Sequence, residues 1–402
     1  MTNMHQLPEN FCIAPFVQLT THPSGSISPC PYLGGTTWKG QTTPSILDKW
    51  HSSDLEKLRE SFLNNQRNEI CQRCWHEEQH HKSSLRRRLY NPTTGTSDYS
   101  VVNDTTIVQD LATGLDTKSY LQGPKVLTIK NGNLCNAKCR SCHPGDSSRW
   151  IEDSRKLFNQ LGQQHYRIDQ TESNWTDDQI DELFELSKNL HRLELFGGEP
   201  LYNKKVRSLL ERIAVAGHSR QLNLYINTNG SVDLVKQIPA IKEFKEIEIG
   251  ISIDDVGARF EYLRHGVRFD QLVDNVKSWQ QYFQQHSVKY YIDSITTVSM
   301  FNILYLPEIK QFVQSLLPQA PFWNLLIHPD YLFIKNMPDQ VKAAAVQKLK
   351  TDPEFADLIS VMLQPADIGF DKFLSITKTL DSIRGEDYQK TFPELSNLID
   401  NC

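Results

Sequence analysis

The sequence predicts an α/β fold built on a parallel sheet, and two observations support this. First, six strand-like runs alternate with six helix-like runs, a pattern that joins parallel strands through right-handed crossovers. Second, cysteines and polar motifs follow the carboxyl ends of these strands, where such folds place their chemistry. The strand-like runs are Val126–Lys130, Leu193–Phe196, Leu222–Ile226, Ile247–Ile253, Tyr290–Val298 and Trp323–Ile327. The helix-like runs are Ser147–Leu161, Asp177–Leu190, Val206–Ala216, Val232–Phe244, Phe269–Phe283 and Leu306–Leu317.

Three closely spaced cysteines follow the first of these strands. Cys135, Cys139 and Cys142 have C-x3-C-x2-C spacing, and no fourth cysteine is nearby in the sequence. Thiolates at short spacing hold iron–sulfur clusters, and three of them leave one iron open to an outside ligand. From this stretch alone, a zinc site completed by His143 and a set of unrelated core cysteines remain alternatives.

Later strands end in motifs that agree with the cluster interpretation. Gly-Gly-Glu-Pro ends the second strand, Asn-Thr-Asn-Gly ends the third, and Ser-x-Asp ends the fourth, with an arginine soon after. In this order and at these spacings, residues 124–330 resemble the radical S-adenosylmethionine (SAM) superfamily. The resemblance implies a partial (β/α)6 TIM-like barrel. Family members often carry an aromatic residue just before the third cysteine, and Ser141 stands there in this sequence.

The resemblance also implies the cofactors and the reaction. Cys135, Cys139 and Cys142 would hold a 4Fe–4S cluster whose open iron binds SAM. One electron, supplied by a donor such as flavodoxin or ferredoxin, would cleave SAM to a 5′-deoxyadenosyl radical that abstracts a substrate hydrogen. The enzyme would then be of the oxidoreductase or isomerase type. The residues that the resemblance assigns to SAM are Gly197, Gly198, Glu199, Asn227, Asn229, Ser252, Asp254 and Arg264.

Physical chemistry suggests a role for most of these residues. Glu199 suits the SAM ammonium group through a charge-assisted hydrogen bond, and the planar fork of Arg264 suits the SAM carboxylate. Ser252 and Asp254 point the same way from one strand and suit ribose hydroxyls. The two glycines before Glu199 let the backbone approach the cofactor closely. Asn227 and Asn229 are candidates for sugar or adenine contacts, although turn residues need no function.

Residues 1–90 contain a second cysteine group. Cys12 and Cys30 flank a predicted hairpin with its turn at Gly25, and Cys71 and Cys74 form a C-x2-C pair. Zinc is the alternative that such pairs leave open. The pattern resembles the SPASM/twitch auxiliary-cluster domain of radical SAM enzymes, here placed before the barrel, which implies a second 4Fe–4S cluster in a small α+β domain. Four cysteines would saturate that cluster, which favours electron transfer or a structural role.

The remaining segments are predicted from composition and periodicity. Residues 91–123 read as a linker, because they begin with a turn-rich polar stretch and show no sustained periodicity. Residues 331–402 form a C-terminal helical segment, with helical spacing in Gln340–Leu349, Phe355–Leu363 and Phe373–Ile383. Two surface features are predicted from sequence. The basic run 82–88 should be a solvated helix face, with an acidic partner as the alternative, and Asp381 should pair with Arg384. Cys402 is a frayed terminus or a hydrogen donor.

Composition limits the class of function. The net charge is −5, with 43 Lys and Arg against 48 Asp and Glu, so no global basic field attracts nucleic acid. No apolar run approaches membrane-spanning length and no signal peptide is evident, which predicts a cytoplasmic protein. The substrate is expected to be a ribosomally made peptide, with a small molecule such as a sugar, nucleoside or amino acid as the alternative. A non-catalytic iron–sulfur or zinc protein is the rival class, but it would have no use for a SAM site.

Overall fold

An eight-stranded sheet forms the centre of the protein. The computed structural model describes residues 7–22, 26–33, 45–79, 84–94, 108, 122–130, 132–162 and 175–400. The strands follow the order β2-β1-β3-β4-β5-β6-β7-β8, and every neighbouring pair is parallel except β1 and β2. Their bounds are β1 Gln18–Thr21, β2 Ile27–Ser28, β3 Val126–Lys130, β4 Arg192–Phe196, β5 Asn223–Thr228, β6 Glu246–Ser252, β7 Tyr290–Val298 and β8 Phe322–Leu325. The predicted α/β class is therefore confirmed, and the six predicted strands are consecutive neighbours in the sheet.

Helices connect the parallel strands, as the alternation predicts. The connecting helices are Trp150–Leu161, Asp177–Leu186, Lys204–Val215, Leu234–Gln237, Gly257–Leu263, Phe269–Gln285 and Leu306–Leu316. The helix predicted over Val232–Phe244 is divided into a short α-helix and the 3-10 helix Pro239–Glu243. Pro239 explains the division, since proline lacks the N–H that a continuing α-helix requires. The sequence analysis did not predict the seven-residue helix Gly257–Leu263, which delivers Arg264 to the site.

The two faces of the sheet differ in chemistry. One face is apolar and packs under the connecting helices, with less than 2% exposure at Leu127, Leu193, Leu224 and Ile247. The other face is polar. There Thr128 donates to Glu194 Oε2 at 2.7 Å, and Arg192 bonds both Glu194 (2.7 Å) and Glu248 (2.8 Å). Strands that alternate apolar and polar residues are covered by helices on one side, and the polar side remains available for a site.

The N-terminal segment is joined to the main sheet. Strand β1 pairs in parallel with β3, and β2 returns antiparallel to β1. The helices of this segment are Ala14–Val17, Ile46–Trp50, Ser53–Leu63, Gln72–Gln79 and Leu85–Leu89. The turn predicted at Gly25 lies outside the described residues. The predicted domain boundary at residue 90 stays a prediction, and the sheet runs across it.

The C-terminal segment is helical. Its helices are Asp339–Leu349, Ala356–Met362, Asp371–Arg384, Tyr388–Thr391 and Pro393–Asp400. Gly385 ends the third of them with φ +68°, and the reversed chain lets Glu386 N donate to Asp381 O at 2.9 Å. Cys402 lies outside the described residues. Across the described parts of the chain, no helix is both long and apolar enough to cross a membrane.

Candidate functional site

The three cysteines of the C-x3-C-x2-C motif lie beyond the carboxyl end of β3, with Cys135 and Cys139 buried and Cys142 partly buried. All three are free thiols. Burial raises the pKa of Cys135 to about 12 and raises the pKa of Cys142, and in both cases the neighbouring Cys139 adds to the effect. Thiolates bind metals. Three neighbouring thiols are therefore stabilised when they lose their protons and bind a cationic metal centre.

Backbone hydrogen bonds hold this cysteine loop against the segment that follows the helix Gly257–Leu263. Lys138 N donates to His265 O at 2.9 Å, and Arg140 N donates to Leu263 O at 2.7 Å. On the other side, Trp150 Nε1 donates to Cys139 O at 2.7 Å. The loop has no regular secondary structure, and these contacts take its place in satisfying backbone groups.

The Gly-Gly turn after β4 packs against the same loop. Gly198 has φ +54°, and a Cβ built there would lie 2.2 Å from Leu134 O, directly before Cys135. Glu199 N donates to that carbonyl at 2.9 Å. The turn therefore requires glycine for its approach to the cysteine loop; its predicted approach to the cofactor stays a prediction.

Glu199 is fully buried and linked to the next strand end. Its Oε1 accepts from Leu201 N at 3.0 Å and Thr228 Oγ1 at 2.8 Å, and its Oε2 accepts from Asn229 N at 2.6 Å. Burial raises the pKa of Glu199, and these hydrogen bonds oppose that rise. The carboxylate is thus held in one orientation, with Oε2 carrying the smaller number of these bonds.

Asp254 and Arg264 form a buried ion pair next to the cysteines. Arg264 Nη1 donates to Asp254 Oδ2 at 2.7 Å, and Thr297 N donates to Asp254 Oδ1 at 2.8 Å. Burial disfavours the charged guanidinium, but Cys139 and Asp254 hold the pKa of Arg264 above its usual value. Arg264 Nε is buried without a hydrogen-bond partner among the described residues. A buried cation with an unused donor fits an anionic group, such as a carboxylate, bound beside the three thiols.

The other predicted SAM residues lie at the neighbouring strand ends. Asn229 Nδ2 donates to Asn136 Oδ1 at 2.9 Å, which ties the turn after β5 to the cysteine loop. Asn227 and Ser252 are half-buried near the carboxyl ends of β5 and β6, opposite Gly250 and Ile295 respectively. The structure thus brings the predicted residues to one edge of the sheet, as expected for parallel strands.

Sequence reasoning missed a set of buried ions that links this loop to the C-terminal helix. Arg140, between the second and third cysteines, bonds Asp381 Oδ1 at 2.5 Å and also bonds Glu386. Tyr262 donates its hydroxyl to the same Asp381 oxygen at 2.8 Å, and its ring faces the Arg140 guanidinium at 4.1 Å. These partners are 241 residues apart in the case of Arg140 and Asp381, so no local motif could have indicated them.

The prediction that Asp381 pairs with Arg384 on the surface is wrong. Asp381 binds Arg140, whereas Arg384 Nε donates to Asp153 Oδ2 at 2.8 Å. Both side chains are buried, because the helix Asp371–Arg384 packs against the helix Trp150–Leu161. The pair was predicted from helical spacing alone. In the folded chain, Asp381 instead contacts Arg140 and Arg384 contacts Asp153.

The four N-terminal cysteines line one cavity. Cys12, Cys30, Cys71 and Cys74 are all among its lining residues, and all are free thiols. Burial raises the pKa of Cys12 first, and the other three cysteines add to the rise. After β2 the chain runs toward the amino ends of the parallel strands and reaches Cys30 there. The cavity therefore lies toward the amino ends of these strands, whereas the three-cysteine loop lies beyond their carboxyl ends.

The basic run 82–88 contributes to this cavity. Arg86 lines it, and only 2% of its side chain is exposed. It donates to Glu9 O at 2.8 Å, to Phe11 O at 2.7 Å and to Glu78 Oε1 at 3.0 Å. The expectation of a solvated helix face is therefore wrong at Arg86, because that residue lies on the buried side of this short helix with Leu85 and Leu89, whereas Arg88 is exposed. Lys82 and Ser83 lie outside the described residues.

The zinc alternatives receive no support from the contacts of His143. Its Nε2 lies 3.1 Å from Asp146 Oδ2, and its Nδ1 accepts from Gly145 N at 3.0 Å. The hydrogen bond with Asp146 raises the pKa of His143, and both ring nitrogens have partners within the protein. In the described part of the chain, no three Cys, His, Asp or Glu side chains converge closely enough to hold a single metal ion.

Comparison with known proteins assigns the central part of the chain. Residues 130–303 match the family described as the Radical SAM superfamily. This range includes the three-cysteine loop, the Gly-Gly-Glu-Pro turn and Arg264. This part of the chain, less than half of its length, is therefore similar to a radical SAM domain, a class that implies an enzyme with a 4Fe–4S cluster and SAM.

Solved structures give partial matches of low structural similarity. The enzyme anSMEcpe with bound AdoMet and Cp18Cys peptide is 15% identical, with 47% of each chain covered and a TM-score of 0.32. The same protein with Kp18Cys peptide is 13% identical, with 60% of this chain and 62% of that chain covered and a TM-score of 0.39. SuiB of Streptococcus suis bound to S-adenosylmethionine is 19% identical, with 50% and 42% covered and a TM-score of 0.32. The chain spans about half the length of the first structures it matches. No curated protein is similar enough to count as a relative.

Proposed function

We propose that the protein is a radical SAM enzyme whose cluster is held by Cys135, Cys139 and Cys142. The observation that supports this most is the position of Arg264. It lies beside the free thiols of Cys135 and Cys139, keeps its Nε without a partner among the described residues, and is fixed by Asp254. A carrier protein has no need for a buried cation with an unused donor at this place.

The bound cluster and SAM would supply the radical chemistry, in which one electron cleaves SAM and the resulting 5′-deoxyadenosyl radical removes a substrate hydrogen atom. The residues of the chain bind and orient. Arg264 would receive the SAM carboxylate, and Glu199 Oε2 would receive the SAM ammonium group. Asp254 holds Arg264 in place and, with Ser252, would bind the ribose. Asn227 and Asn229 would contact the sugar or adenine.

A second 4Fe–4S cluster is proposed at Cys12, Cys30, Cys71 and Cys74, in an N-terminal segment that resembles a twitch domain. Support comes from the shared cavity that these four thiols line, together with the buried cation of Arg86 beside it. Because the cavity approaches the sheet from the edge opposite to the SAM site, a role in electron transfer or structure is favoured over substrate ligation. An external donor such as flavodoxin or ferredoxin, in the cytoplasm, would supply electrons.

A ribosomally made peptide is the proposed substrate. Among the described strands, β8 is at an edge of the sheet, and Phe322 on it is 64% exposed. An extended chain can pair with the free backbone groups of such an edge, and an exposed aromatic side chain offers it an apolar contact. Whether the product is oxidised or isomerised depends on whether the substrate radical loses an electron or regains a hydrogen atom.

The proposed function is tested by reductive SAM cleavage without substrate. Wild-type protein, reconstituted anaerobically with iron and sulfide and reduced with dithionite, should form 5′-deoxyadenosine from SAM. It should hold about eight irons per chain if two cubanes are present. Replacing Cys135, Cys139 and Cys142 with alanine should abolish the product and leave about four irons.

The matched control is Cys402→Ala, which removes a cysteine outside both groups and should change neither readout. Retained 5′-deoxyadenosine formation in the triple variant would overturn the proposed function. A wild type that binds SAM to no measurable extent after full reconstitution would instead favour a non-catalytic iron–sulfur protein.

A further inference from the structure

Arg384, the last residue of the helix Asp371–Arg384, has a buried and incompletely satisfied charge. None of its side chain is exposed. Its Nε donates to Asp153, whereas Nη1 and Nη2 have no hydrogen-bond partner among the described residues. A guanidinium carries five N–H donors, and leaving buried charged donors unpaired is unfavourable. Such a group is stabilised by an acceptor, and the proposed cluster would provide one.

The neighbours of Arg384 place it at the cysteine loop. Its guanidinium lies 4.6 Å from the centre of the Trp150 ring, and Trp150 in turn donates to Cys139 O. The guanidinium therefore lies one side chain away from the backbone of Cys139, on the side of the C-terminal helix.

The positive charge at this position is only partly neutralised nearby. Asp153 is shared by two cations, since Lys138 Nζ lies 2.8 Å from its Oδ2 and Arg384 Nε donates to the same oxygen. Arg140 differs, because it bonds two carboxylates, Asp381 and Glu386, although its Nε and Nη1 also lack a hydrogen-bond partner among the described residues. The charge of Arg140 is thus balanced by two carboxylates, whereas Arg384 shares its one carboxylate with Lys138.

We infer that Arg384 is a positioning residue for the cluster: its free N–H groups and its charge stabilise the thiolate-ligated cluster at Cys139 and raise its reduction potential. This inference rests on the proposed cluster at Cys135, Cys139 and Cys142. The net charge around an iron–sulfur cluster and the hydrogen bonds to its sulfurs set the potential. A nearby cation favours the reduced state, which carries the extra negative charge. The C-terminal helix would thereby help to set how easily the cluster accepts the electron that cleaves SAM.

The test is an EPR-monitored redox titration of the full-length reconstituted protein. The part of the reduced signal that changes when SAM is added identifies this cluster. Arg384→Gln should lower its midpoint potential while the iron content stays at the wild-type level. Arg384→Lys keeps the charge but loses the planar fork, and its potential should fall between those of the wild type and Arg384→Gln.

Asp153→Asn is the matched control, because it removes the same ion pair and leaves the guanidinium. It removes a negative charge, so the potential should rise; a fall similar to that in Arg384→Gln would show that the loss of packing alone is responsible and would overturn the inference. An unchanged potential in Arg384→Gln with full iron content would also overturn it. If Arg384→Gln takes up no iron, Arg384→Lys decides: a potential below that of the wild type supports the inference, because the planar fork of donors is lost, and a potential equal to that of the wild type overturns it. A wild type without a SAM-responsive signal would instead contradict the proposed function itself.

Discussion

Single residues at the site are held by close contacts that leave little room for a different side chain. Gly198 has its backbone against the carbonyl before Cys135, and Glu199 accepts one hydrogen bond from Leu201 N and two from the end of β5. Arg264 is held by Asp254, which is itself fixed by a backbone N–H of β7. Because buried polar groups are costly when unpaired, each of these residues constrains the next one.

Gly198→Ala should destabilise the protein and reduce cluster uptake. The left-handed φ of +54° costs a non-glycine residue about 1–2 kcal/mol, and the added Cβ would press on Leu134 O for a further ~1–3 kcal/mol. Iron per chain and the free energy of unfolding measure the two effects. Gly217→Ala is the control, since its φ is +80° but a Cβ there meets nothing within 4 Å. Equal losses in the two variants would show that the approach to Leu134 is unimportant.

At the scale of elements, the site depends on a helix that is distant in sequence. The helix Asp371–Arg384 contributes Asp381 and Arg384, and the chain reversal at Gly385 adds Glu386. Glu386 also bonds His265 Nδ1 at 2.6 Å, in the segment that holds the cysteine loop by its backbone. The C-terminal helix, the segment after Gly257–Leu263 and the cysteine loop therefore behave as one buried ionic unit.

Asp381→Asn should loosen the cysteine loop. Removing one partner of a buried ion pair costs about 3–5 kcal/mol, because Arg140 keeps its charge. We expect a lower unfolding temperature and slower, incomplete iron uptake. Asp371→Asn makes the same change at the exposed start of the same helix and should have little effect on either quantity. If Asp381→Asn retains full iron uptake and stability, the ionic unit does not support the loop.

At the scale of the whole molecule, one sheet connects two cysteine sites. The three-cysteine loop lies beyond the carboxyl end of β3, and the four-cysteine cavity is reached from β2 at the opposite edge. Strand β1 links the N-terminal segment to β3 through parallel pairing, so the two sites have a fixed relation within the described sheet. Such a relation suits the transfer of electrons between clusters better than their shared contact with one substrate.

Replacing both Cys71 and Cys74 with serine should remove about four irons per chain and leave SAM cleavage without substrate intact. The reason is that these thiols line only the N-terminal cavity. Iron analysis, zinc analysis and the assay for 5′-deoxyadenosine measure the result. Cys402→Ser serves as the control for cysteine removal. Unchanged iron together with a loss of zinc would identify this site as a zinc site.

The sequence by itself determined the parts that depend on local pattern. Alternation of apolar residues located β3–β8 to within a few residues, because a strand with one buried face imposes that period. Cysteine spacing and the turn motifs likewise located one edge of the sheet as the site, since ligands close in sequence are close in space. The SAM contacts and the auxiliary cluster remain predictions that rest on resemblance.

Only the tertiary structure decided which buried charges meet. Asp381 and Arg384 have ideal spacing for a helical pair, yet each binds a residue of the cysteine loop or its following helix. Arg86 belongs to a basic run, yet it is buried beside the N-terminal cysteines. A buried charge is stable only beside an oppositely charged partner, wherever the fold places that partner. Arg140 and Asp381 are 241 residues apart in sequence, so no local spacing could have indicated their contact.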